Sequence, residues 1–243
     1  MANDTKGQIL SALGYDKDAI DVAAVFAEKV QDNVLEVQDN VLGIGELKPY
    51  EGKFNTSYGA LIKNGELHVF TATTANGDSA YVLPVVGRGL WGGLWGYIAV
   101  DRPEVTKVLG TYFYHESETA GLGARIGEKW FQDQFIGKPI FDKDGEVALS
   151  VVKAGSAKSE YEVDGVTGAT LTSNGVAAMV KEGLSAYMGS VFDVLTETEA
   201  RGSTKMVINE DGTVTVLETD ADKIDTVFQK AFAILHEPVN VEQ

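Results

Sequence analysis

Residues 164–173 read DGVTGATLTS, a turn of small residues carrying four hydroxyl side chains, placed directly ahead of a helical pattern. Thr167, Gly168 and Ala169 are small enough to let a bulky group come close to the backbone. From Asn174 to Met188 the apolar residues Val176, Met179, Val180, Leu184 and Tyr187 fall on roughly one face of a helix. Ser173 or Asn174 is placed to cap that helix. A helix start offers unpaired N–H groups and about half a positive charge. The spacing therefore predicts a phosphate cradle with a threonine hydroxyl inside it.

The rest of the chain sets bounds on what such a cradle can serve. At 243 residues, 44% hydrophobic and 9% aromatic, the chain can bury a full core in one large domain, or in one domain plus an appendage. A net charge of −16 argues against nucleic acid and anionic lipid surfaces as partners. With no cysteine there is no disulfide, thiolate metal site or iron–sulfur cluster held by this chain alone. The longest low-charge stretch, Gly89 to Val100, holds four glycines and is too short to span a bilayer. Met1-Ala2-Asn3-Asp4 lacks the basic and apolar regions of a signal peptide.

Outward from the motif, apolar residues from Asp18 to Leu42 recur at helical steps, so the spacing predicts an amphipathic helix. Within it the run Val-Gln-Asp-Asn-Val-Leu occurs twice, at Val30 and Val37, too few repeats for a coiled coil. Tyr58–Ile62 and Glu66–Ala72 flank Asn64-Gly65, which signals a β-hairpin. Further strands are expected at Tyr81–Val86, Tyr97–Val100, Val105–Tyr114 and Val147–Lys153. The pattern is that of an α+β fold, an antiparallel-rich sheet flanked by helices. Past a Thr/Glu-rich linker at 196–204, a C-terminal extension carries a second hairpin (Lys205–Ile208, Thr213–Leu217) and a helix at Ile224–Leu235. This divides the chain into residues 1–192 and 193–243.

Two further segments carry motif character. Tyr112 to Ile126 reads YFYHESETAGLGARI, and Tyr81 to Val100 reads YVLPVVGRGLWGGLWGYIAV. In the second, Trp91 and Trp95 among closely spaced glycines give flat apolar surfaces where backbone can approach a ring, and either tryptophan could be the one that touches it.

Together the three runs resemble the FMN-binding domain family, in particular the NqrC subunits of the sodium-translocating NADH:quinone reductases and the related RnfG subunits. Asp164, Thr167, Gly168, Ala169 and Thr170 match the family's Asp-x-x-Ser/Thr-Gly-Ala-Ser/Thr motif. Glu118, Thr119, Gly121, Leu122 and Gly123 match its Glu-Thr-Pro-Gly-Leu-Gly signature, with Ala120 standing in place of proline. Gly87 to Trp91 match the Gly-Arg-Gly-Leu-Trp run of NqrC rather than of RnfG. The likeness runs from about Thr5 to Met188 and fades thereafter.

The resemblance implies an FMN phosphate esterified to Thr170 by a separate flavin transferase. Thr167, Gly168, Ala169, Leu171 and Thr172 would then line the phosphate, while Glu118, Thr119, Leu122, Gly123 and Trp95 would approach the ring or ribityl chain. It implies an electron-carrier subunit that passes electrons from NADH oxidation toward quinone, coupled to sodium export. The other subunits of that complex would be its partners. It also implies a bacterial inner-membrane protein with this domain on the periplasmic side, held by a single N-terminal helix absent from this chain. No residue is assigned a catalytic or metal-ligating role. Two other readings fit the same residues: a covalent-FMN carrier of the Rnf or another extracytoplasmic system, and an assembly module that never carries flavin.

Other constellations fail. Gly121 to Gly127 is one residue too long for a dinucleotide fingerprint, and Thr167–Ser173 lacks the P-loop lysine. The stretch Asn209–Gly212 lacks the ligand spacing of a calcium loop. His68, His115 and His236 lie far apart in sequence and read as packing or surface residues.

Overall fold

Between His68 and His115, four runs rich in Val, Tyr and Phe form consecutive antiparallel strands, and α1, α2, α3 and α5 pack on them. The computed structural model describes residues 2–36, 46–54, 58–63, 66–102, 104–187, 205–208 and 214–218. In chain order the elements are α1 (Ala2–Ala12), α2 (Val22–Lys29), β1 (Val30–Glu36), β2 (Glu46–Pro49), α3 (Tyr58–Lys63), β3 (His68–Thr73), β4 (Ser79–Arg88), β5 (Gly93–Asp101) and β6 (Val108–His115). A 3₁₀ turn (Gly123–Gly127), α4 (Lys129–Asp133), β7 (Ser150–Val152), β8 (Glu162–Asp164), α5 (Thr170–Tyr187), β9 (Lys205–Ile208) and β10 (Val214–Glu218) follow. Strands β1 to β6 make one antiparallel sheet in the order β2-β1-β3-β4-β5-β6. This is the expected α+β architecture. Among the described residues no helix is long and apolar enough to cross a membrane.

The sheet is covered on both faces. Alternate residues Tyr81, Leu83, Val85, Leu94, Ile98 and Phe113 join Val176, Met179, Val180 and Leu184 of α5 in one core. The intervening Phe70, Val82, Tyr97 and Ala99 join Ile9 and Leu10 of α1, Leu13 just after it, Phe26 of α2 and Tyr58 of α3 in the other. Each of these four α5 side chains contributes about 1.5–3 kcal/mol before conformational entropy is subtracted. Central β4 also carries Pro84, which a doubly paired strand would exclude. Pairing with β3 ends at Val82, so Pro84 faces a partner on the β5 side alone. Its carbonyl accepts the Tyr187 hydroxyl at 2.8 Å, tying the end of α5 to the sheet.

Several expected boundaries move, each for an identifiable reason. The helix expected over Asp18–Leu42 is α2 alone, capped by Asp21, whose Oδ1 accepts from the amides of Ala23 and Ala24 at 3.1 Å. Val30–Glu36 is strand, because the step from Val30 to Val34 fits two pleats as well as one helical turn. The Asn33 side chain reinforces the strand by donating to the Val69 carbonyl across the sheet at 3.1 Å. The second copy of the repeat lies outside the described residues.

Tyr58–Lys63 is helix rather than strand. β3 already has β1 on one side and β4 on the other, so a strand there would have no edge to join. The Asn64-Gly65 turn lies outside the described residues. The strand expected from Val105 begins at Val108, after a turn in which Asp101 accepts from the amides of Thr106 and Lys107 at 2.7 Å. β7 covers only part of Val147–Lys153 and pairs in parallel with β8, a short strand that the sequence pattern does not reveal. β9 and β10 pair antiparallel as expected, while the helix at 224–235 lies outside the described residues.

His68 is a packing residue as expected, but an unusual one. It is fully buried, with Nδ1 2.7 Å from Asp32 Oδ1 and Nε2 2.8 Å from Glu66 Oε1. Burial alone pulls the imidazole pKa down, yet the hydrogen bonds to Asp32 and Glu66 more than offset it and hold it above the ordinary 6.5. A raised folded value stabilises fully below the unfolded value and loses that stabilisation as pH rises through the folded value. The unfolding free energy contributed by this cluster should therefore fall as pH climbs above 6.5. Denaturant unfolding of wild type and His68→Asn across that range checks it, and a gap that widens with pH would contradict it.

Candidate functional site

Helix α5 begins at Thr170, four residues before Asn174, so Ser173 is not its cap. Ser173 instead lies in the first turn, where its Oγ accepts from the Val166 amide and donates to the Ala169 carbonyl, both at 2.9 Å. It bends the preceding turn back onto the helix. Gly168 completes that turn at φ 77°, in the left-handed region that favours glycine. The first intrahelical bond runs from the Ser173 amide to the Ala169 carbonyl at 3.0 Å. The amides of Thr170, Leu171 and Thr172 therefore have no intrahelical acceptor and point out of the helix start.

Asp164, the first motif residue, does not reach this point. Its Oδ1 accepts from the amides of Ser156 and Ala157 at 2.8 and 3.0 Å, and its own amide donates to Gln134 Oε1 at 3.1 Å. It fixes the chain entering the turn.

The four hydroxyls of the run divide sharply. Thr172 and Ser173 are 1% and 3% exposed and fully engaged. Thr167 and Thr170 face solvent, and of these two only Thr170 sits in the first helical turn.

The second motif meets the first here. Thr172 Oγ1 donates to Glu118 Oε2, and Oε1 of the same carboxylate accepts from the Trp91 amide at 2.8 Å. The Glu118 amide donates to His115 Nδ1 at 3.2 Å. Burial pushes the Glu118 carboxyl up, but hydrogen bonds from Thr172 and from the Trp91 and Gly92 amides, with His115 nearby, leave it below the usual carboxylate value. Two glycines make room for it. A Cβ on Gly89 would lie 2.5 Å from Glu118 Oε1, and one on Gly123 would lie 2.6 Å from Oε2.

Gly121, at φ 73°, turns the loop so that Leu122 leans over Gly168, where an added Cβ would sit 3.2 Å from Leu122 Cδ2. Thr119 accepts the amides of Leu122 and Ala124 through its carbonyl and is otherwise exposed. The structure thus brings together Thr167, Gly168, Ala169, Thr170, Leu171 and Thr172 with Glu118, Thr119, Leu122 and Gly123.

It does not bring Trp95 to them. Leu94 faces α5, so Trp95, one residue on, faces the opposite side of the sheet, with its ring 5.1 Å from that of Tyr114. Trp91, in the β4–β5 connection, is the tryptophan joined to Glu118. Of the two tryptophans that the sequence leaves open as ring contacts, Trp91 is the one at this site, and Leu90 and Gly89 are additions to it. Their signal is the glycine spacing Gly87-x-Gly89-x-x-Gly92-Gly93, which marks close backbone approach.

Beside the exposed Thr167, Thr170 and Thr119, the site presents a group of exposed apolar side chains. Trp91 and Leu171 are 65% and 59% exposed, and Leu90 and Leu122 are also exposed. Outward-pointing amides beside a side-chain-free turn and a group of exposed flat or branched apolar residues suit a ligand with an anionic end and a flat apolar body. Among the described residues no group of three His, Cys, Asp or Glu side chains is arranged to hold a metal.

That class of site agrees with the model of the FMN-binding domain family, which matches residues 89–185 and so spans the three converging segments. Over 189 residues the chain is 31% identical to NqrC of the Na(+)-translocating NADH-quinone reductase of Neisseria meningitidis serogroup B, covering 71% of this chain and 72% of the relative. The corresponding protein of Vibrio alginolyticus is 31% identical over 188 residues, covering 71% and 73%. The crystal structure of its counterpart from Parabacteroides distasonis superposes with a TM-score of 0.63 at 32% identity, covering 80% of this chain and 92% of that one. The chain belongs to the NqrC family of Na(+)-translocating NADH-quinone reductase subunits.

Proposed function

We propose that this chain is the FMN-carrying electron-transfer subunit of a Na+-translocating NADH:quinone reductase, with FMN held as a phosphoester of Thr170. The observation that carries the reading is the exposed Thr170 hydroxyl, set in the first turn of α5 beside Gly168. The amides of Thr170, Leu171 and Thr172 would hold the phosphate, and Leu122, Leu171, Leu90 and Trp91 would cover the flat ring. When bound, FMN supplies the redox chemistry. Esterification also turns a dianionic phosphate into a monoanion, which is easier to hold on a protein of net charge −16.

In this reading a separate transferase makes the ester, using FAD and Mg2+. The other subunits of the complex are the electron-transfer partners, and the domain lies on the periplasmic side of the membrane. Co-expression with a flavin transferase tests the proposal. The intact mass should rise by one esterified FMN, whereas an unchanged mass in protein shown to be folded would favour an assembly module.

Two further expectations go with this reading, the first from the geometry of the loop and the second from the fading of the family resemblance near residue 190. Leu122→Ala removes a side chain that leans over Gly168, so it should shift the flavin reduction potential and expose the ring to solvent while leaving the Thr170 linkage intact. Unchanged potential and absorption would give the loop a role in folding or partner contact instead. The C-terminal extension, 193–243, is proposed to be dispensable for attachment. A fragment ending at Phe192 should fold and accept FMN, and an insoluble or unlabelled fragment would show that the extension completes the core.

A further inference from the structure

Glu118 is 6% exposed, and both of its carboxylate oxygens are taken by groups of this chain. Each oxygen is thus engaged within the chain, and the group is almost wholly covered. The groups it binds come from two different parts of the fold. The Trp91 amide belongs to the β4–β5 connection, and the Thr172 hydroxyl belongs to the first turn of α5, two residues from Thr170. Among the described residues no lysine or arginine pairs with it, and His115 is the titratable side chain beside it. A buried anion is thus retained next to a helix start that, in the reading above, also receives a phosphate.

We propose that Glu118 is the positioning residue of the flavin site: it registers the Leu90-Trp91 loop against the first turn of α5 and places a fixed negative charge behind the surface that would receive the ring. The inference rests on the function proposed above. Through the first role it keeps an exposed apolar pair in place beside the attachment point, although loops of this kind are otherwise the least constrained parts of a fold. Through the second it disfavours additional negative charge nearby, because a charge inside a protein interacts far more strongly than one in water. Reduction of the flavin should therefore be harder than in a site with a neutral residue at 118.

Two substitutions separate the roles. Glu118→Gln keeps an acceptor for the Trp91 amide and offers its amide group to Thr172 Oγ1, removing only the charge. Glu118→Ala removes both contacts. In the flavin-free protein, exchange of the Trp91 amide should be slow in wild type and Glu118→Gln and faster in Glu118→Ala. Equal exchange in all three would overturn the positioning role. In protein shown by mass to carry flavin, Glu118→Gln should shift the reduction potential upward with attachment at Thr170 unchanged. A potential equal to wild type would overturn the electrostatic role and leave Glu118 a purely structural clamp. Should wild type fail to take up flavin, the function proposed above fails, while the Trp91 amide still reports on Glu118.

Discussion

Thr170→Ala should abolish covalent flavin completely. Under co-expression with the transferase, wild-type protein should fluoresce under ultraviolet light after denaturing electrophoresis and the variant should not. The effect is all or none because the ester needs an oxygen at that position. The neighbouring hydroxyls cannot replace it. Thr172 is held by Glu118, Ser173 is locked between Val166 and Ala169, and Thr167 stands three residues before α5, outside its first turn. The cost to folding should be small, since Thr170 is exposed and alanine favours a helix. Thr170→Ser should retain the band. A fluorescent band in Thr170→Ala would move the attachment elsewhere.

Gly175→Ala should be the most damaging single-methyl change near the site. In an exposed helix the substitution would stabilise by up to about 1 kcal/mol. Here an added Cβ would overlap the carbonyl oxygen of Arg88 and lie 3.2 Å from the Gly89 Cα. Those atoms are backbone, and β4 is paired with β5 up to Arg88, so they cannot turn aside as a side chain would. Overpacking of this kind costs about 1–3 kcal/mol and outweighs the propensity gain. Because the obstruction falls at the first turns of α5, the Thr172–Glu118 contact should weaken as well, lowering flavin uptake. Asn174→Ala, one residue away and exposed, should stay within about 0.5 kcal/mol of wild type. Thermal unfolding of the pair checks the prediction, and equal midpoints would mean that α5 does not seat on β4 through Gly175.

Much of the sheet is legible in the sequence because β4 to β6 are short runs rich in Val, Ile, Leu, Tyr and Phe, and β4 and β5, covered on both faces, are apolar almost throughout. The α5 face is legible too, since Val176, Met179, Val180 and Leu184 all reach the core. Elsewhere the local pattern is ambiguous and the sheet resolves it. Val30 and Val34 satisfy both periods, and pairing with β3 on one side and β2 on the other makes that stretch a strand. Tyr58–Lys63 has strand-like composition but no edge to join, so its tyrosine packs against Phe54, Phe70 and His68 from a helix.

At the site, the motifs name the loops but not their wiring. The bond from Thr172 to Glu118 spans 54 positions, and the one from Trp91 to Glu118 spans 27, distances at which no local pattern speaks. Trp95 and Trp91 are equally plausible ring contacts by composition. The one-residue alternation of a strand places Trp95 on the far face once Leu94 is committed to the core.

The most direct test is to locate the flavin within the peptide spanning residues 159–181, released by cleavage after Lys158 and Lys181. This peptide contains all four hydroxyls of the motif as well as Ser159, so fragmentation can place the added mass on one of them. One FMN phosphoryl group is expected on Thr170 and none on Ser159, Thr167, Thr172 or Ser173. Flavin on any other residue, or an unmodified peptide from folded protein co-expressed with an active transferase, would contradict covalent carriage at Thr170.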